Sequence, residues 1–249
     1  ASKAFDKVHH WTLFKKLIDR KIPNVIVRLL VYWYSKQKYY IQWGKYMSPS
    51  FNAINGVKQG GILSPKLFNI YTNDLSNELI KSNIGCSLFG NVVNHLFYAD
   101  DIVLICTSAK GLQKLVNICS TYAKTHFLKF NSDKTKCMAI VSCKTLKLIS
   151  LPALYIDGTV IDYVNTHKYL GFIVSSQNDD QDILRQMKSY ISKTNMLLRV
   201  FSKCSVDVKI MLFKTFCTNM YCIHLWSNFT SGNFNKFRVT YNNGFRKLL

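Results

Sequence analysis

Apolar residues recur along this chain at two spacings, and the switching between them predicts the order of elements. Leu13, Phe14, Leu17 and Ile18 fall on one face of a helix over about 11–20. Pro23 interrupts, and Asn24 is placed to cap a second helix to about Tyr34, with Arg28 on its polar side. The period then shortens to two, so 39–43 and 46–54 read as a hairpin around Gly44-Lys45. Helical spacing returns with Leu67, Phe68, Ile70 and Tyr71, after Ser64 as N-cap and Pro65 as first helical residue, and ends near Leu79. Two β-prone runs, His95-Leu96-Phe97-Tyr98 and Ile102-Val103-Leu104-Ile105, flank Ala99-Asp100-Asp101 and predict a tight hairpin. Leu112, Leu115, Val116, Cys119 and Tyr122 then mark a helix over about 109–126.

Asn131-Ser132-Asp133 makes a turn before a strand near 137–141. Leu154–Ile156 and Thr159–Tyr163 read as strands joined at Asp157-Gly158. One more strand runs through Tyr169-Leu170-Gly171-Phe172-Ile173. From about Asp179 the pattern turns helical, near 181–202 and 206–226, and basic. Residues 181–249 carry eleven Lys and Arg against two Asp. No repeat is visible, and the clearest boundary falls near residue 178.

Composition narrows the class. At 249 residues, 48% apolar and 14% aromatic, the chain is globular and long enough for a real core. Thirty-three Lys and Arg against thirteen Asp and Glu give a net charge of +20. Such a surplus is costly to hold in one compact body unless a polyanion offsets it. Nucleic acid is the first candidate and an anionic membrane surface the second. The absence of a long basic amphipathic helix weighs against the membrane surface. No apolar run approaches the ~18–20 residues of a spanning helix. The start lacks an initiating Met and a signal-peptide core, so the chain reads as a piece of something longer. Eight cysteines, Cys86, Cys106, Cys119, Cys137, Cys143, Cys204, Cys217 and Cys222, sit in apolar segments without a CxxC pair. They read as buried thiols in a reducing compartment.

Two stretches carry candidate chemistry. Asp100 and Asp101 at a hairpin tip repel each other unless cations neutralise them, which makes Mg²⁺ the natural partner. The competing reading is an ordinary acidic turn. In Gly56-Val57-Lys58-Gln59-Gly60-Gly61-Ile62-Leu63-Ser64-Pro65, three glycines in six positions let backbone approach a ligand closely. Lys58 and Gln59 supply donors for a phosphate or a base, and a glycine loop feeding a helix start suits an anionic nucleotide. A flexible linker is the alternative, and the apolar flanks oppose it.

Taken in order, Ala4-Phe5-Asp6, the 56–65 loop, Phe97-Tyr98-Ala99-Asp100-Asp101, Asn131-Ser132-Asp133-Lys134 and Tyr169-Leu170-Gly171 resemble one family. That family is the reverse transcriptases of non-LTR (LINE-type) retrotransposons. The resemblance covers nearly the whole chain, as palm motifs A to E followed by the start of the thumb, with most of the fingers missing. It implies an α+β fold: a polymerase palm, an RNA-recognition-like antiparallel sheet packed on helices, over 1–178. A helical, basic thumb and the start of a connection would follow over 179–249. It implies an RNA-directed DNA polymerase that extends a DNA primer on an RNA template with deoxynucleoside triphosphates, intracellular in cytoplasm and nucleus.

Roles follow from the same resemblance. Asp100 and Asp101 would hold two Mg²⁺ ions, with Mn²⁺ as a substitute, and Asp100 would be the firmer ligand. Phe5 would be the steric gate beneath the incoming sugar. Lys58, Gln59, Gly60 and Tyr98 would contact the incoming nucleotide and the template base. Lys134 would donate a proton to the leaving pyrophosphate, and Tyr169, Leu170 and Gly171 would form the primer grip. Asp6 is expected to be structural. Phe5 as core and Lys134 as a solvated turn lysine are the plain alternatives.

In the family a further metal-binding Asp precedes the position of Asp6, and its spacing lands one position before Ala1. The 249 residues alone are therefore expected to bind nucleic acid but to catalyse poorly or not at all. A decayed or co-opted copy that only binds nucleic acid is a second reading. A reverse transcriptase of another lineage, such as a group II intron maturase, is a third. Phe97 and the Tyr169-Leu170-Gly171 strand suit the LINE type better.

Overall fold

The computed structural model describes residues 4–140 and 151–247. Cys143 and the end of the strand expected near 137–141 lie outside them. After a 3₁₀ turn (Phe5–Lys7), the elements run α1 (His10–Asp19), α2 (Asn24–Lys36), β1 (Lys38–Tyr39), β2 (Gln42–Trp43), β3 (Tyr46–Met47) and β4 (Phe51–Asn52). Next come α3 (Ser64–Lys81), β5 (Cys86–Leu88), β6 (Asn91–Val93), β7 (His95–Tyr98), β8 (Asp101–Leu104) and α4 (Ala109–Thr125). The remainder is β9 (Lys136–Cys137), β10 (Leu154–Ile156), β11 (Thr159–Tyr163), β12 (Thr166–Tyr169), β13 (Phe172–Ser175), α5 (Asp180–Val200), α6 (Val206–Leu212) and α7 (Ser231–Arg246). Helix and sheet are mixed, as expected of an α+β fold. The strands pair antiparallel as short local ribbons, β5 with β6, β7 with β8, β10 with β11 and β12 with β13.

The described residues fall into two compact units, 4–135 with 151–162 and 136–140 with 163–247. In the first, Leu13, Phe14 and Leu17 of α1, Val27, Leu30 and Tyr34 of α2, and Leu67, Phe68 and Tyr71 of α3 bury one cluster. Further along α3, Leu75 and Leu79 join Leu115, Cys119 and Tyr122 of α4 in a second, against which Phe97, Ile102 and Leu104 of β7 and β8 pack. One helix thus serves two cores, because its apolar residues follow the helical period for its whole length.

Ile18 does not join the buried stripe of α1. Lys16 goes inside instead, and its ammonium is met by a polar knot. Its Nζ is paired with the Asp74 carboxylate and donates to the Tyr122 hydroxyl at 3.2 Å. Tyr122 donates on to the Tyr71 carbonyl at 2.6 Å, and Tyr71 to the His126 carbonyl at 2.7 Å. A buried ammonium is tolerated only when its donors are satisfied in this way. Burial pushes the Asp74 carboxyl up, but the Lys16 hydrogen bond and the charges of Lys16 and Arg20 outweigh it and hold it below its ordinary value.

Two helix starts differ from the sequence expectation. Asn24 and Ser64 are the first helical residues rather than caps, and Pro23 and Leu63 precede them. The Ser64 hydroxyl is spent on the Lys58 carbonyl, 2.5 Å away, which closes the glycine loop.

In the second unit the strand expected through 169–173 is folded in two. Leu170 and Gly171 take φ of +47° and +83°, so they form the tight turn between β12 and β13. The helix expected over 206–226 ends at Leu212 and passes into a π turn (Phe213–Cys217). The last helix, α7, crosses α5 at Gly244, where a Cβ would lie 2.2 Å from the Tyr190 hydroxyl. Among the described cysteines, Cys119, Cys137 and Cys217 are buried, whereas Cys86, Cys106, Cys204 and Cys222 are half-buried, and all are free thiols. No helix among the described residues is long and apolar enough to cross a membrane.

Candidate active site

The two carboxylates sit on the β7–β8 hairpin. Tyr98 pairs with Asp101 and Phe97 with Ile102, which leaves Ala99 and Asp100 as a two-residue turn. Alternation then divides the ribbon. Phe97 and Ile102 face the helices, while the pair Tyr98 and Asp101 faces away, both exposed. Asp100 is half-buried at the tip. Ala99 holds φ +50°, a conformation that costs a residue with a Cβ about 1–2 kcal/mol.

The base of the hairpin is clamped by residues that the motif pattern did not single out. Asn94 is almost wholly buried, and its amide donates to the Leu79 carbonyl at 2.6 Å and the Ile84 carbonyl at 2.7 Å. Its backbone carbonyl accepts from Ile105, just beyond β8, at 2.8 Å. With the amide nitrogen so committed, Asn94 Oδ1 must accept from His95 Nδ1, 2.7 Å away. His95 Nε2 is then an acceptor for the Ser76 hydroxyl of α3, also at 2.7 Å. Burial pushes the His95 pKa down, which keeps the ring neutral. Both strands carrying the carboxylates are thereby tied to the C-terminal end of α3. The available signal was one amide in the apolar run Val92-Val93-Asn94-His95-Leu96-Phe97.

The glycine loop and the first motif are brought together. Val57 N–H donates to the Phe5 carbonyl and Gly56 N–H to the Val8 carbonyl, each at 2.8 Å. Gly56 has φ +95°, and a Cβ there would lie 3.0 Å from the Asp6 backbone. Only glycine lets the loop lie this close. Gln59 reaches Asp6 Oδ1 at 3.2 Å, so the acid expected to be structural holds the loop. Phe5 stacks on Phe68 with centroids 4.7 Å apart and remains half-exposed. Lys58, Gln59 and Gly60 are exposed beside it.

Lys134 stands exposed on a turn closed by the Asn131 side chain, which accepts from the Lys134 N–H at 3.2 Å. Tyr169, Leu170 and Gly171 belong to the other unit. Behind their hairpin lies Asp182, fully buried, which accepts from Ile173 N–H at 3.1 Å, Arg185 Nε at 2.7 Å and Trp226 Nε1 at 3.0 Å. The Asp182-x-x-Arg185 spacing on a helix is its sequence signal.

Asp100 and Asp101 offer hard oxygen ligands suited to Mg²⁺ or Mn²⁺. Among the described residues no three His, Cys, Asp or Glu side chains gather as a metal-holding group.

Residues 1–174 match the family described as reverse transcriptase (RNA-dependent DNA polymerase), and the chain belongs to that family. Its relatives give the kind. It is 27% identical over 222 residues to the probable RNA-directed DNA polymerase from transposon X-element of Drosophila melanogaster, covering 85% of this chain and 23% of that one. It is 25% identical over 258 residues to the RNA-directed DNA polymerase from mobile element jockey of Drosophila funebris, covering 99% and 27%. Against the Pol polyprotein of the type-2 retrotransposable element R2DM it is 30% identical over 175 residues, covering 68% and 16%. These matches bear out the resemblance to non-LTR retrotransposon enzymes. The chain spans about a quarter or less of the length of these relatives.

Proposed function

We propose that this chain is the palm and thumb portion of an RNA-directed DNA polymerase, with the palm over 1–178 and the thumb over 179–249. The observation that carries this reading is the Asp100-Asp101 pair at the tip of a clamped hairpin in a chain whose first 174 residues match the family. Asp100 and Asp101 would hold divalent ions, which when bound activate the attacking 3′-hydroxyl and stabilise the leaving oxygen. A third carboxylate would be the metal-binding Asp that the family carries before the position of Asp6. Phe5, braced on Phe68, closes the space beneath the nucleotide sugar, and the loop at Lys58, Gln59 and Gly60 meets the nucleotide and the template base. Lys134 protonates the departing pyrophosphate. Tyr98 lies on the substrate side of the hairpin, and Tyr169, Leu170 and Gly171 hold the primer end. The basic surplus grips the duplex through its phosphates, so binding weakens with a log–log salt slope of about −0.9 per phosphate for duplex DNA.

The test is Mg²⁺-dependent primer extension on an RNA template by a protein extended upstream toward the length of its relatives. Asp100→Ala should lower extension by at least about a hundredfold, since a metal site contributes several kcal/mol to the transition state. Extension that survives Asp100→Ala would sink the assignment. Salt-sensitive duplex binding by both proteins without extension would leave a nucleic-acid binder instead.

A further inference from the structure

Between Asp19 and Asp74 the chain has no acidic residue and carries eight Lys and Arg. Within that stretch lies the ribbon of β1 to β4, two strand pairs laid end to end. β1 pairs with β4, the Ser48 N–H donates to the Ile41 carbonyl at 2.9 Å, and β2 pairs with β3 about Gly44-Lys45. Between the two pairs the Ile41 N–H donates to the Ser48 hydroxyl at 2.9 Å, which ties the two ends of the ribbon together. Trp43 and Tyr46 are direct cross-strand partners, yet they are 82% and 69% exposed. Tyr40, Ile41 and Met47 beside them are also more than half exposed. The Lys45 ammonium lies 5.5 Å from the centre of the Tyr46 ring, so cation and ring are presented together.

Single exposed apolar residues need no explanation. A matched pair of open aromatic faces on an acid-free, lysine-bearing ribbon does. We propose that this ribbon is a stacking surface for unpaired RNA, the template strand in the reverse transcriptase reading on which this inference rests. Each base has a π-face that can lie on Trp43 or Tyr46, while Lys36, Lys38 and Lys45 neutralise the phosphates between bases. An acidic protein would use the lysines but not the flat open rings, and a duplex would hide its base faces from them.

The experiment measures binding of the 249-residue protein to a labelled single-stranded RNA of about 20 nucleotides by fluorescence anisotropy across salt, with duplex RNA in parallel. Both residues are exposed, so Trp43→Ala and Tyr46→Ala should keep the parent's circular dichroism and melting. Each should weaken single-strand binding about tenfold or more. The salt slope should stay unchanged because no phosphate contact is lost. Trp43→Phe should recover most of the affinity, and duplex binding should change far less. Unchanged single-strand affinity in both alanine variants, or equal losses on duplex, would overturn the proposal. So would a loss of self-association with RNA affinity intact, which would make the ribbon a protein interface. Either result alongside Asp100-dependent primer extension would remove the ribbon assignment while leaving the polymerase standing. A parent protein that binds no RNA at all would remove both.

Discussion

Two tight hairpins, one with the candidate metal-binding carboxylates and one with the candidate primer grip, are anchored by opposite chemistry. The β7–β8 hairpin, with Asp100 and Asp101, is fixed at its base by neutral groups: the Asn94 amide, the unprotonated His95 ring and the Ser76 hydroxyl. The β12–β13 hairpin, with Tyr169, Leu170 and Gly171, is fixed by a fully buried carboxylate whose partners include the Arg185 guanidinium. A charge in the anchor raises the penalty for losing one partner, because the other is left uncompensated in low dielectric. Neutral anchors fail more gently.

Removing each anchor in turn should separate the two hairpins most. Asp182→Ala leaves Arg185 unpaired and strips acceptors from Ile173 and Trp226, so it should cost about 3–5 kcal/mol. Asn94→Ala takes the amide donor from the Ile84 carbonyl and from the Leu79 carbonyl, which keeps only the Ser82 hydroxyl, and should cost about 2 kcal/mol. Urea unfolding, with amide exchange at Ile173 and Ile105 as local probes, would rank them. A larger loss at Asn94 would reverse the ordering.

Acid sharpens the contrast further. Burial lowers the folded-state pKa of His95, so the unfolded chain takes up its proton first as pH falls. The His95 contribution is therefore whole above the unfolded value of about 6.5 and is lost as pH drops toward the folded one. His126, lowered by burial and by the Lys16 charge, acts in the same direction. In the other unit, burial raises the Asp180 carboxyl, but hydrogen bonds from Thr230 and Asn233 outweigh it and hold it low. That contribution is lost only as pH falls through the carboxylate range. Amide exchange at pH 5.5 against 7.5 should show β7–β8 opening more readily while β12–β13 holds, and His95→Gln should flatten the difference. Equal loosening of both hairpins would contradict it.

The smallest effect tests the turns. Ala99→Gly relieves about 1–2 kcal/mol of left-handed strain against about 0.5–1 kcal/mol of extra unfolded-state freedom. A net gain of roughly 0.5–1 kcal/mol in denaturant unfolding is expected, and Leu170→Gly should match it. A destabilised Ala99→Gly variant would mean that the strain is not there.

What the sequence disclosed follows from how local each cause is. The β10–β11 hairpin was legible because Asp157-Gly158 names its own turn, and α4 because Leu112, Leu115, Val116, Cys119 and Tyr122 keep helical spacing; the Ser108 cap came only with the structure. The β7–β8 hairpin was legible because two carboxylates interrupt two apolar runs. Leu170 hid the β12–β13 turn, since a leucine at positive φ between apolar neighbours reads as strand interior. Helix α7 was obscured by its Asn and Gly residues, although Phe234, Tyr241 and Phe245 keep a helical period. For the site, the Asp pair announced itself by charge. The docking of the glycine loop on Phe5 and Asp6 spans some fifty residues, and no local pattern encodes it. Asn94 and Asp182 were missed because burial, not residue type, is what gives them their role.

The knot around Lys16 has a consequence in time. Its two partners are made late: Asp74 follows it by 58 residues and Tyr122 by 106. At a synthesis rate of about 5–20 residues per second, the lysine waits roughly 5–20 s for the second. Until Asp74 is made, α1 cannot seat its buried face without stranding an ammonium in it, and until Tyr122 is made the ammonium lacks its second partner. Leu13, Phe14 and Leu17 are covered by α2 and α3, so the apolar face of the first helix can close before the Tyr122 hydroxyl of α4 completes the polar knot.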